Sequence, residues 1–153
     1  MERIMLNTNV FCRPFDDLTE DTVKEEAKSA ESIFLLAQQK RIDIISSDVL
    51  YDEVDLIEDR TKNESVYYLI KTVEKERIST NEKVVSLADS FNSIIKDYND
   101  CLHIAFAATG KCDCLITCDY ELISKKRKIE SFLLSQNIKL NIKTPSELIA
   151  DLD

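Results

Sequence analysis

Short apolar runs alternate with longer amphipathic stretches along the whole of this chain, and that alternation restricts the fold more than any other feature. Arg3, Ile4, Met5 and Leu6 form a first apolar run, read as a buried strand ending at Asn7. A helical pattern starts at Thr19. Glu20 and Asp21 lie in its first turn, Ala27, Ala30, Ile33, Phe34 and Ala37 recur at helical spacing, and Lys40 and Arg41 close it. Residues 42–46 read as a second strand, and Asp48 as the cap of a helix carrying Val49, Leu50, Glu53, Val54 and Ile57. Further helices are predicted over 64–75, 81–95, 98–109 and 128–136, with Gly110 stopping the third of them. Strands are predicted over 114–117 and 139–142, and Pro145 opens a last helical turn. Strands separated by helices predict an α/β fold: a three-layer sandwich whose central parallel sheet is flanked by helices, in a single domain over residues 1–153.

Composition narrows the function classes. With one glycine and two prolines, the chain argues against Gly-rich phosphate loops, all-β turn arrays and flexible linkers. No apolar run approaches the ~18 residues that span a bilayer, and no signal-peptide pattern is present, so the expectation is a soluble cytoplasmic protein with no membrane partner. The five cysteines are Cys12, Cys101, Cys112, Cys114 and Cys118, an odd count that argues against a disulfide framework. Cys112, Cys114 and Cys118 with His103 invite a zinc reading, but no paired CxxC spacing closes a tetrahedral site. Buried small hydrophobes are the commoner state of such thiols.

Four polar positions carry the chemistry. Asn7 ends the first strand, Glu53 shares a helix with core residues, Asp100 opens an apolar helix, and Asp119 follows the apolar run Leu115-Ile116. In a parallel α/β sheet the carboxyl ends of the strands gather ligands, and Asn7 and Asp119 fall just past two such ends. Acidic residues number 29, so any one of them alone reads as surface. An acid in apolar surroundings is costly unless it meets a cation, which is the argument for Glu53, Asp100 and Asp119 as a group.

The order of these segments resembles that of the PIN-domain nucleases. The resemblance rests on Leu6-Asn7-Thr8-Asn9-Val10, the stretch from Ser47 to Glu53, Asp100-Cys101-Leu102-His103-Ile104-Ala105, Leu115-Ile116-Thr117-Cys118-Asp119, and the closing run from Ile142 to Leu148. It implies an endoribonuclease dependent on Mg²⁺ or Mn²⁺, of the kind found as the VapC-type toxin of a toxin–antitoxin pair. RNA would be the substrate, an antitoxin protein a partner, and the molecule a homodimer. Carried over residue by residue, it implies metal binding by Asn7, Glu53, Asp100 and Asp119, with Thr8 or Thr117 supporting the site through their hydroxyls. Position 7 departs from the pattern, because the family normally has aspartate there. An amide oxygen can coordinate a hard cation but brings no charge and cannot act as a base, so weakened or absent activity is expected. Asn7 fits either a native, attenuated homologue or a deliberate Asp→Asn silencing of a nuclease. The alternative function is a PIN fold that binds protein or RNA without cutting it.

The surrounding residues have bland readings beside functional ones. The net charge of −9 does not advertise a nucleic-acid surface, but Lys125, Lys126, Arg127 and Lys128 cluster just after Asp119 and are the best candidates for steering a phosphate backbone. A solvated helix start is the commoner meaning of such a run. Arg13 could contact a substrate phosphate or pair with Asp16 or Asp17. His103 lies one turn after Asp100 and could face the site, with a hydrogen-bonded packing histidine as the favoured role. Asp97 and Glu121 flank two of the acids, and Tyr67 and Tyr68 could stack on bases; surface and core are the respective bland alternatives.

Overall fold

A computed structural model describes residues 1–153. Five parallel strands form one sheet in the order β3-β2-β1-β4-β5, where β1 is Arg3–Leu6, β2 Asp43–Ser47, β3 Glu74–Ile78, β4 Cys114–Ile116 and β5 Asn141–Lys143. Nine helices accompany it: α1 (Thr8–Cys12), α2 (Asp21–Gln38), α3 (Asp48–Asp55), α4 (Arg60–Val73), α5 (Glu82–Ser90), α6 (Tyr98–Thr109), α7 (Tyr120–Ser124), α8 (Lys126–Ser135) and α9 (Pro145–Leu152). The α/β sandwich expected from the alternation is the fold observed. No helix is long and apolar enough to cross a membrane.

Successive side chains of a strand point to opposite faces, and the inner strands are apolar on both. Met5, Ile45, Leu115 and Ile142 join one core, with the buried faces of α5, α6 and α8. Ile4, Leu6, Ile44, Cys114 and Ile116 join the other, with α1, α2, α3, α4 and α9. Helix α6 is buried along most of its length, from Cys101 through Ala108, which is why its sequence lacks a polar face. Cys12, Cys101, Cys112 and Cys114 are buried, and all five cysteines are free.

Three elements went unforeseen: β3 and the five-residue helices α1 and α7. β3 has the sequence Glu-Lys-Glu-Arg-Ile and its middle three residues are exposed, so no apolar run marks it. As an edge strand it is covered only at its ends, Glu74 and Ile78, and alternating charge is what an edge tolerates. Its presence ends the expected 64–75 helix two residues early, at Val73. Asp59 caps α4 by accepting from Lys62 N–H, moving the start to Arg60, and the chain turns extended at Glu74, where the Ser46 and Tyr51 hydroxyls donate to Glu74 Oε1 at 2.6 and 2.7 Å. Helix α1 follows β1 at once, and five residues are too few to show a helical period.

Cap assignments also shift. Ser47, not Asp48, caps α3, its hydroxyl accepting from Leu50 N–H; Asp48 instead binds Arg77 and Thr80. Gly110 ends α6 with φ −78°, so it is not a left-handed cap. Space explains it: a Cβ there would stand 2.2 Å from Ile78 Cδ1. The left-handed residues are Lys40, Lys111 and Asn137, just past α2, α6 and α8. Pro145 opens α9 as expected, inside a capping box formed by Thr144 and Glu147.

Candidate active site

All strands run the same way, so their carboxyl ends share one edge. The chain leaves β1 for β2 on one side and pairs it with β4 on the other, so the switch in strand order lies between β1 and β4. Asn7 and Thr117 sit just past those two strands. Both are buried, and Asn7 Nδ2 donates to Thr117 Oγ1 at 3.1 Å. The same oxygen receives Asn9 Nδ2 at 3.4 Å and the Asp119 backbone N–H at 3.0 Å. Asn9 Oδ1 in turn accepts from Cys118 N–H at 3.0 Å. Thr117 is thus the knot that ties the β1 end to the β4 end and places Asp119. Asn7 Oδ1 receives no hydrogen bond.

Glu53 reaches this region from α3. Its Oε1 accepts from Thr8 Oγ1 at 2.6 Å and meets His103 Nε2 at 2.5 Å, while Oε2 has only a long contact, 3.4 Å, from Asn99 Nδ2. Burial opposes ionisation of Glu53, but the imidazole, the Thr8 hydroxyl and Asn99 outweigh it and hold its pKa below the usual carboxylate value. Asn99, Asp100 and His103 all come from the first turns of α6, whose N-cap is Asp97.

Asp100 has the opposite environment. It receives no hydrogen bond and no counter-charge from the fold. Burial, with the negative charges of Asp97, Asp119 and Glu53, pushes its pKa up to about 7, and its carboxyl lies within hydrogen-bonding reach of Asp119. Asp119 itself caps α7 through one bond, accepting from Glu121 N–H at 2.9 Å. Like charges held together without a cation are unstable as they stand.

The remaining predicted residues are placed as follows. Arg13 pairs with Asp16 at 2.8 Å and Glu26 at 3.0 Å, which engages its guanidinium within the fold. Lys125 binds Glu121 and the Ile94 carbonyl, and Lys126 pairs with Glu147, so only Arg127 and Lys128 of the basic run stay exposed without an acidic partner. Tyr67 packs edge-on against Tyr51, and Tyr68 is exposed. Asp17 binds Thr19. Asn9 and Asn99 were missed, and His103 was underrated. The signal for the last two was available, since positions 99, 100 and 103 of one helix share a face.

No three His, Cys, Asp or Glu side chains stand close enough together to make a ready-made metal cage. Mg²⁺ does not require one, because it keeps several waters and binds through one or two carboxylates. Asp100 and Asp119 fit such an ion by their donor chemistry: hard carboxylate oxygens near one another, those of Asp100 receiving no hydrogen bond from the fold. Glu53 Oε2 and Asn7 Oδ1 are the other oxygens of the four expected ligands left free or nearly free for it.

Comparison with known proteins follows the same line. A solved structure of VapBC2 from Rickettsia felis, bound to a DNA fragment from their promoter, matches with a TM-score of 0.58 at 18% identity, covering 92% of this chain and 98% of that one. At that identity the likeness speaks for the fold. No curated protein matches the sequence. The family model described as PIN domain matches residues 3–121, which include Asn7, Glu53, Asp100 and Asp119. The chain belongs to the PIN-domain family.

Proposed function

We propose that this protein is a metal-dependent endoribonuclease of VapC type, attenuated by asparagine at position 7. The observation that carries the reading is the meeting of the β1 and β4 ends, where the Asn7 side chain and the Asp119 backbone share Thr117 Oγ1 close to Asp100, whose pKa is raised by burial and by the charges of Asp97, Asp119 and Glu53. A divalent cation, Mg²⁺ or Mn²⁺, would be held there by Asp100 and Asp119, with Glu53 and the amide oxygen of Asn7 completing the set. When bound, it supplies charge neutralisation at the scissile phosphate and acidifies a water. The chain's own residues orient the reaction. Thr117 holds the Asp119 backbone, Thr8 and His103 hold Glu53, and Asp100 would offer the cation carboxyl oxygens that no side chain of the fold engages. Exposed Arg127 and Lys128 would steer single-stranded RNA past a surface of net charge −9. An antitoxin protein is the proposed partner, supported by the fold shared with VapBC2, and the proposed assembly is a homodimer in the cytoplasm.

One observation favours the second reading, a PIN fold that binds without cutting. Asn7 is locked into its hole by the bond to Thr117, as a native asparagine would be. A labelled single-stranded RNA panel with Mg²⁺ or Mn²⁺ separates the two. Little cleavage by the present sequence, metal-dependent cleavage by Asn7→Asp, and loss on adding Asp119→Ala are expected. An inert Asn7→Asp protein, or equal cutting by the double variant, would leave the binding module as the answer.

A further inference from the structure

His103 is fully buried on α6, in a layer otherwise made of isoleucine, alanine and phenylalanine. Its Nδ1 has no hydrogen-bond partner. Leucine or phenylalanine would fill that space without a bare ring nitrogen, so the imidazole is not there for packing. Its single polar contact is Nε2 to Glu53 Oε1, the oxygen that Thr8 Oγ1 also binds. Two donors from different elements, one on α1 and one on α6, therefore converge on one oxygen of a residue from α3. The other oxygen, Oε2, is left with the 3.4 Å contact from Asn99.

We infer that His103 and Thr8 form a clamp that fixes the rotamer of Glu53 and reserves Oε2 alone for the cation. His103 is thereby a positioning residue that never touches metal or substrate. The inference rests on the metal-dependent reading of the same site. A carboxylate on a half-buried helix surface has several rotamers and could bind a cation through either oxygen or both. Engaging Oε1 from two sides removes those choices before the ion arrives, so less ordering remains to be done on binding.

The test uses the Asn7→Asp protein as parent and Mn²⁺ as the probe, followed by calorimetry, with the imidazole N–H followed by proton NMR in the metal-free state. The parent should show a downfield, slowly exchanging imidazole N–H that disappears in His103→Leu. Mn²⁺ affinity of the folded His103→Leu protein should fall about 10- to 100-fold, the range for losing a residue that orients a ligand. His103→Gln, whose amide can still donate to Oε1, should recover most of it, and Thr8→Val should show a loss of the same kind. A merely structural histidine would lower the melting temperature in His103→Leu and leave the affinity unchanged, and that result would overturn the clamp alone. Absence of Mn²⁺ binding in the parent, with the imidazole signal intact, would overturn the metal reading and the clamp's purpose together.

Discussion

The substitution Asn7→Asp exposes the balance of the site most directly. Thr117 Oγ1 now receives three N–H groups, from Asn7, Asn9 and the Asp119 backbone, although a hydroxyl oxygen has two lone pairs. Aspartate replaces one surplus donor with an acceptor, toward which the Thr117 hydroxyl can turn its own hydrogen. A hydrogen bond to a charged group contributes about 1.5–3 kcal/mol. Against it stands a carboxylate at a position only 4% exposed, beside Asp119 and a partly ionised Asp100. Each like charge at about 4–8 Å costs about 2–4 kcal/mol at an effective dielectric near 20. The repulsion wins by about 2 kcal/mol, which for a domain of this size lowers the melting temperature by roughly 4–8 °C. Mn²⁺ should reverse the sign. At 100 times its Kd a ligand stabilises the folded state by about 2.7 kcal/mol, enough to bring the variant back to the parent or above it. Differential scanning fluorimetry of both proteins, with a chelator and then with millimolar Mn²⁺, gives the four values required. If Asn7→Asp melts no lower than the parent in chelator and gains no more from Mn²⁺, position 7 does not face the acids and the reasoning fails.

Other consequences follow from the fold itself. Gly110→Ala would put a Cβ 2.2 Å from Ile78 Cδ1 and 2.9 Å from the Phe106 carbonyl oxygen, and should cost about 1–3 kcal/mol in urea unfolding. Shortening the neighbour with Ile78→Val should recover part of that loss, whereas a backbone cause would leave it unchanged. Tyr51→Phe removes a hydroxyl that donates to Glu74 at 2.7 Å and should cost about 1.5–3 kcal/mol near neutral pH. Burial opposes the Glu74 charge, but the Ser46 and Tyr51 hydroxyls and Lys71 outweigh it and lower its pKa from 4.5. Its contribution is therefore present above pH 4.5 and lost as the pH falls through the lower folded value, so urea midpoints of wild type and Tyr51→Phe should converge on acidification. Replacing Arg127 and Lys128 with glutamine should weaken RNA binding across sequences and flatten its salt dependence by about 1–2 in log–log slope. An unchanged slope would move the RNA path elsewhere.

The helices and inner strands were legible because burial writes itself into the sequence as a period. β1, β2 and β4 are apolar on both faces, and α2, α5 and α6 lie within the stretches read as helical, because each must meet a core. The positions of the polar candidates were legible: Asn7 follows β1 at once, Asp119 lies just past β4, and Asp100 falls in the first turn of the apolar helix α6. What failed to show was whatever needs a neighbour distant in sequence. β3 is a strand only because β2 offers it a ladder and Glu74 finds the hydroxyls of Ser46 and Tyr51; its own residues read as charged surface. Gly110 does stop α6 as read, but the reason it must be glycine is a side chain on β3, 32 residues earlier in the chain.

The candidate site divides in the same way. Residue types and strand ends, which sequence alone determines, named the acids and the odd asparagine. Tertiary structure alone decided how their environments differ: His103 and Thr8 lower the pKa of Glu53 against its burial, whereas burial and the charges of Asp97, Asp119 and Glu53 raise that of Asp100. It also decided that Arg13, Lys125 and Lys126 are bound within the fold while Arg127 and Lys128 are free. The physical reason is one of range. Periodicity and propensity act over a few residues, but the protonation of a carboxylate and the freedom of a lysine depend on which charges lie within a few ångströms. In this fold those groups arrive from α1, α3, α6 and the segment after β4.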